Sequence, residues 1–148
     1  MKSLVATFFA AALALAPASL LADQEITVNC NDQMQFDKKA IEVKAGEKVK
    51  LIVKNIGKLP KIAMGHNLVI LKKGEEIAPF ANKAMLARAT DFIPAEKEFK
   101  DKILAHSKLL GPGETDTITV TFKEAGTYNY LCSFPGHFGV MQGKITVK

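Results

Sequence analysis

The chain has 148 residues, 48% hydrophobic and 24% charged, which is enough to bury a core as one small domain without staples. Its formal charge of +5 arises from scattered basic residues (Lys38-Lys39, Lys72-Lys73, Lys97, Lys100, Lys102) without interleaved aromatics. That pattern excludes a nucleic-acid-binding stripe and leaves a solvated basic surface with some attraction for acidic partners.

Residues 1–22 read as a secretory signal peptide, with Lys2 at the start, a short alanine-rich apolar run from Leu4 to Leu15, and small-residue cleavage sites at Ala16-Pro17-Ala18 and Leu20-Leu21-Ala22. The apolar run is short for a membrane span, although an uncleaved anchor helix is the competing reading. Cleavage after Ala22, before the polar segment opened by Asp23, gives a mature domain of residues 23–148. Loss of Lys2 lowers the formal charge to +4, and no other membrane span is predicted. The mature chain is expected in the periplasm.

Downstream, Ile26 to Cys30 alternates apolar and polar residues as a half-buried strand does. A similar run extends from Gln35-Phe36 to Lys44 and ends at the Ala45-Gly46-Glu47 turn. Val49 to Asn55 is the next predicted strand, ended by Gly57 and Pro60, and His66 to Leu71 follows. Residues Glu75 to Lys102 break the pattern. Ala78, Ala81, Ala84, Met85, Leu86, Ala87 and Ala89 suit a helix, and Glu96 to Leu104 suits a second helical turn or two. The interruption is a flap of roughly 30 residues, longer than an ordinary connection between strands. Asp116 to Phe122, Thr127 to Cys132 and Lys144 to Lys148 complete the strands. Short strands separated by turns predict an all-β, Greek-key sandwich or barrel with one inserted helical flap.

The chemistry-bearing segment lies between the last two strands, where Cys132-x4-His137-x3-Met141 occupies a glycine-rich loop. Pro135 stiffens that loop, and Gly136 and Gly139 let it turn. Upstream, Gly65-His66-Asn67 stands before an apolar strand. A lone histidine or methionine is usually solvated or mere packing. Two imidazoles, a thiolate and a thioether at one point are instead the donor set of a type 1 copper site, with methionine as a weak axial ligand. A structural zinc site would use nitrogen, thiolate or carboxylate donors, without a thioether. Two cysteines in an exported chain suggest a disulfide on prior grounds. Pairing Cys30 with Cys132 would leave the neighbouring histidine and methionine unexplained, so Cys132 is assigned to metal and Cys30 to a buried free thiol.

The mature chain resembles the azurins of the cupredoxin family along essentially its whole length. The resemblance is carried by Asn31 to Phe36, Leu59-Pro60-Lys61, Met64-Gly65-His66-Asn67, Ala105 to Leu109, and Cys132-Ser133-Phe134-Pro135-Gly136-His137. It implies a cupredoxin sandwich holding one copper ion that cycles between Cu(I) and Cu(II). It makes His66, Cys132 and His137 the equatorial ligands, Met141 the axial one, and Gly65 a carbonyl donor on the opposite side. Asn67 would tie the two ligand loops together, and the Asn31 carbonyl would accept the second ring N–H of His66. His106 matches a surface histidine and is not a ligand. The chain departs from the family at several places: Gln24 and Glu47 stand where a disulfide is usual, Cys30 replaces glycine, Leu68 replaces tryptophan, and Asn55 replaces a titrating histidine. Phe138 and Gly139 change the surroundings of the outer copper ligand.

The function expected from these residues is one-electron transport by a monomer, not an enzyme. Electrons would pass through His137, inside an apolar docking patch of Met34, Leu59, Met64, Phe134, Pro135 and Phe138. The resemblance implies transient redox partners such as c-type cytochromes or a periplasmic reductase. Copper storage or delivery is the alternative. A multicopper enzyme would need more histidines than the three in the chain.

Overall fold

The computed structural model describes residues 24–148, so the proposed signal peptide lies outside the described residues. Among the described residues, nine strands form two sheets: β1 (Gln24–Asn31), β2 (Gln35–Phe36), β3 (Ala40–Val43), β4 (Lys48–Asn55), β5 (Val69–Leu71), β6 (Ile103–His106), β7 (Thr115–Thr121), β8 (Gly126–Leu131) and β9 (Gln142–Val147). One sheet has the order β2-β1-β4-β7 and the other β3-β9-β8-β5-β6. The β1–β4 and β3–β9 pairs are parallel, and the remaining pairs are antiparallel. The expected Greek-key sandwich is therefore present as two sheets rather than as a closed barrel.

Alternation explains how the sheets face one another. In β4, Val49, Leu51, Val53 and Asn55 point inward while the lysines between them point out. Val28, Val49, Leu51 and Val53 of the first sheet join Ile70, Tyr130, Ile145 and Val147 of the second in one core. Leu68 is fully buried in that core, in the position where the resemblance leads one to expect tryptophan. Cys30 is also a buried free thiol, as predicted.

Three sequence expectations need correction. The run Gln35–Lys44 is two strands in opposite sheets, because the Asp37 carboxylate turns back onto the Asn29 amide and side chain at 2.8 Å each and breaks the run between them. The predicted strand His66–Leu71 is regular only over Val69–Leu71, with His66 in an isolated bridge to Leu110. The helical turn predicted over Glu96–Leu104 stops early. Residues Lys97–Lys100 form a short helix, and Ile103–His106 is instead the edge strand β6, paired with β5.

The flap covers the outer face of the second sheet. Its helix α1 (Ile77–Ala84) buries Phe80, Ala81 and Ala84 against Val69, Leu71 and Leu131. That packing explains why β5 is apolar on both faces and reads as a continuous run instead of alternating. The flap's two ends are held together by an ion pair between Lys102 and Glu75 at 2.7 Å and by the Asn129 side chain donating to the Glu75 carbonyl at 2.9 Å.

Close packing places one glycine under strict demand. Gly143 of β9 lies opposite Tyr130 of β8, whose hydroxyl donates to the Lys38 carbonyl. A β-carbon on Gly143 would run into the Tyr130 ring and stand 2.7 Å from the Lys39 carbonyl oxygen. Gly143→Ala should destabilise the metal-free protein by about 3 kcal/mol in urea unfolding. An unchanged midpoint would mean that Tyr130 can move aside freely.

Candidate metal centre

At one end of the sandwich, β5 and β8 stop and their chains continue into two loops. The ladder pairs Val69 with Leu131. Continuing that antiparallel register by two residues sets Asn67 opposite Ser133, and there a side chain replaces the backbone ladder. The Ser133 N–H donates to Asn67 Oδ1 at 2.8 Å, and Asn67 Nδ2 donates to Ser133 Oγ at 2.8 Å. The bond holds His66, one residue before Asn67, close to Cys132, one residue before Ser133.

The second loop is shaped by its own backbone. The His137 N–H donates to the Phe134 carbonyl at 3.1 Å, and the Met141 N–H to the His137 carbonyl at 2.9 Å. The Cys132 N–H donates to the Met141 carbonyl at 3.0 Å, which brings the two ends of the loop together. Gly136 supplies the left-handed turn, with φ of 81°. Ahead of the first loop, Gly65 permits another close approach, because a β-carbon there would lie 2.6 Å from the Lys61 carbonyl.

These two loops bring together the donors the sequence singled out. One ligand atom each from His66, Cys132 and His137 lies within 4.8 Å of the others, and all three residues are buried. The Nδ1 atoms of His66 and His137 stand 3.9 and 3.6 Å from Cys132 Sγ. Met141 is wholly buried in the same core cluster as Cys132. His106 lies outside the cluster, with its Nδ1 3.0 Å from the Ser107 carbonyl.

Burial sets the protonation of the donor set. Burial pushes the Cys132 thiol up to about 12, against hydrogen bonds from the Asn67 and Phe134 backbones that favour the thiolate. Burial, and then the neighbouring His66, push His137 down to about 4. Burial also lowers His66, opposed by the Asn31 carbonyl. That carbonyl is close enough to favour a charged ring, yet His66 Nε2 makes no hydrogen bond of good geometry and is an orphaned buried polar atom. A metal on Nδ1 would require a proton on Nε2, which is the tautomer that the Asn31 carbonyl can accept from. The chemistry of the set, two imidazoles and one thiol without a carboxylate, beside a thioether, fits a single copper ion.

The comparisons agree. The profile of copper-binding proteins of the plastocyanin/azurin family matches residues 22–148. The chain belongs to that family. It is 39% identical over 132 residues to azurin from Pseudomonas fluorescens biotype C, covering 86% of this chain and 100% of that one. It is 38% identical over 125 residues to azurin from Alcaligenes faecalis, covering 82% and 95%. Among solved structures, auracyanin A, a blue copper protein from the green thermophilic photosynthetic bacterium Chloroflexus aurantiacus, superposes with a TM-score of 0.76 at 35% identity, covering 86% of this chain and all of that one.

The surface around this plastocyanin/azurin-type site differs in detail from expectation. His137 is only 3% exposed, and its ring is covered by Phe134 at a centroid distance of 4.7 Å. Of the expected patch, Leu59 and Pro135 are exposed, while Met34, Met64, Phe134 and Phe138 are half-buried. Phe138 leans on the core beneath the flap. Sequence reasoning missed Ile62, which is 77% exposed, and a groove of about 690 Å³ bordered by Ile62, Arg88, Phe92, Phe134 and Pro135. It also missed Ser133, whose signal was a hydroxyl beside the cysteine in a loop otherwise apolar.

The pKa shifts set a proton count. At pH 7 the metal-free site holds a protonated thiol and two neutral imidazoles. Binding Zn(II), a redox-inert probe, should therefore release about one proton per ion in weakly buffered solution. Release of about two would mean an imidazole is charged beforehand, and release of none would remove Cys132 from the ligands. Because His137 titrates lower in the fold than its ordinary 6.5, the unfolded chain binds the extra proton between those values. The contribution of His137 to the stability of the metal-free fold is thus complete above pH 6.5 and is lost as pH falls toward 4.

Proposed function

We propose that the protein is a periplasmic one-electron carrier, in which His66, Cys132, His137 and Met141 hold a type 1 copper ion and transient redox partners dock beside His137. The observation that carries this reading is the buried, preassembled cluster of His66, Cys132 and His137. When bound, copper supplies the one-electron chemistry, cycling between Cu(I) and Cu(II).

The protein's own residues do the rest. Cys132, His66 and His137 would provide the strong donors, with the Met141 thioether and the Gly65 carbonyl as weaker ones. The Asn67–Ser133 bond fixes the spacing of the two loops. Phe134 and the apolar core keep water from the sulfur. A rigid, dry donor set changes little between oxidation states, which keeps electron transfer fast. Apolar residues at the rim, Leu59, Ile62, Pro135 and Val140, suit weak docking by a c-type cytochrome or a periplasmic reductase.

Among the described residues no helix is long and apolar enough to cross a membrane. A signal peptide over residues 1–22, leaving a mature domain over 23–148, would direct export, and the mature chain is read as a monomer. A copper enzyme of the nitrite-reductase or multicopper-oxidase kind would need further histidine-rich copper sites, for which His106 is the only histidine left. Copper storage or delivery would require the ion to leave, which a donor set this buried opposes. Reversible voltammetry with rapid self-exchange separates carrier from delivery protein.

The copper-loaded, oxidised protein should be intensely blue, from charge transfer out of the Cys132 thiolate, and Cys132→Ser should abolish the band. A colourless wild type, or a blue serine variant, overturns the reading.

Met141 permits a second check. Met141→Leu should keep copper and colour but raise the reduction potential, because the oxidised ion loses a donor. Met141→Gln, with a harder oxygen donor, should lower it. Voltammetry that finds both variants at the wild-type potential would assign Met141 to packing alone.

A further inference from the structure

The flap has no role in the function described so far beyond covering the sheet. We infer that its turn Thr90–Ile93 is a clasp that positions both ligand-bearing loops at once, an inference that rests on the copper-site reading above.

Asp91 and Phe92 are consecutive non-glycine residues in the left-handed region, with φ of 53° and 63°. Asp tolerates that region, but a bulky phenylalanine there is an outlier that persists only where its surroundings hold it. The turn is pinned from within. The Phe92 N–H donates to the Ala87 carbonyl at 2.9 Å, and Thr90 Oγ1 donates to the Ile93 carbonyl at 2.6 Å.

Left-handed backbone aims two successive carbonyls at the site. The Phe92 carbonyl accepts the buried Ser133 hydroxyl at 2.8 Å, a closer acceptor than Asn67 Oδ1 at 3.2 Å. The Asp91 carbonyl lies 3.4 Å from Asn67 Nδ2, whose stronger bond goes to Ser133 Oγ. The Phe92 ring meets Phe134 edge-on at 5.0 Å, and Phe134 lies against His137 at 4.7 Å. One turn thus touches the residue after His66, the residue after Cys132, and the aromatic ring covering His137.

A merely structural turn would carry glycine at φ near 60° without strain. A phenylalanine instead adds a ring aimed at Phe134, while keeping the carbonyl turned toward Ser133. Asn67, Ser133 and Phe92 are accordingly positioning residues, because each acts through a ligand it does not replace. Loosening the clasp would let the Cys132 loop move and admit water near the sulfur, which favours Cu(II) and lowers the potential.

The test compares Ser133→Ala, which loses the hydroxyl, with Ser133→Thr, which keeps it. In the folded, metal-free protein, amide hydrogen exchange at Ser133 should be about tenfold faster in Ser133→Ala and wild-type-like in Ser133→Thr. In the copper-loaded protein, the midpoint potential should fall in Ser133→Ala and return in Ser133→Thr. Wild-type exchange and potential in Ser133→Ala overturn the inference. If Ser133→Ala does not fold, Phe92→Gly keeps the turn and its carbonyl but removes the ring. Exchange should then quicken at His137 while Ser133 stays protected, and unchanged exchange at His137 overturns the clasp. A wild type that takes no copper would sink the site reading while leaving the exchange results to judge the clasp.

Discussion

Holding a thiol and two imidazoles together out of water is the constraint on which the rest of the molecule turns. Each group would be better solvated alone, and burial pushes each toward its neutral form. The fold must therefore fix them by other bonds. It does so where the β5–β8 ladder runs out, by letting the Asn67 amide continue the pairing to Ser133 with side-chain bonds at 2.8 Å. The Leu68 N–H donating to Ser107 Oγ at 2.9 Å extends the ladder on the other edge of β5 in the same way. Donor positions are thus set by polar bonds beyond the sheet's end, and the apolar core beneath them only has to stay rigid.

That rigidity needs cover on both faces of β5, which a two-layer sandwich alone does not give. Ile70 faces the interior between the sheets, while Val69 and Leu71 face outward. The flap supplies the missing layer through Phe80, Ala81 and Ala84. Its ends are closed by the half-exposed Lys102–Glu75 pair, whose own contribution is small because water screens it. The apolar contacts under the flap carry the stability, and the ion pair sets where the flap leaves and rejoins the sheet.

How much of this was legible in the sequence follows from how far apart the interacting residues lie along the chain. The Cys132, His137 and Met141 trio could be read directly, because one hairpin loop holds all three and only local turns are needed to converge them. His66 was legible through its Gly-His-Asn setting. The strands with clean alternation, such as Lys48–Asn55 and Thr115–Thr121, were also legible, because each has one wet face and one dry face. β6 was not. Its residues are half-buried or exposed, with no clean alternation, and the lysines before it resemble a helix surface. The split of the Gln35–Lys44 run depended on Asp37 folding back onto Asn29, which periodicity does not encode. Ser133 and Phe92 meet across 41 positions, through a backbone conformation unusual for phenylalanine, and no local pattern announces that.

An electron carrier has to combine close electronic contact with rapid release, and the surface at this end of the molecule favours that compromise. His137 is only 3% exposed, so on the docking reading proposed above a partner would come against the residues around it rather than grip the ligand. Of the exposed apolar side chains, Ile62 borders the groove beside Phe134 and Pro135. On the docking reading, a small apolar contact would exclude water locally near the ring, and an interface of small buried area suits short-lived encounters. The groove's charges are mixed, Lys61 and Arg88 against Asp91, so they can bias orientation without holding a partner in place. On the docking reading, closeness to the donor set matters more than strength of binding, and Phe134, which lines the groove with its ring centred 4.7 Å from that of His137, is the side chain between the groove and the ligand.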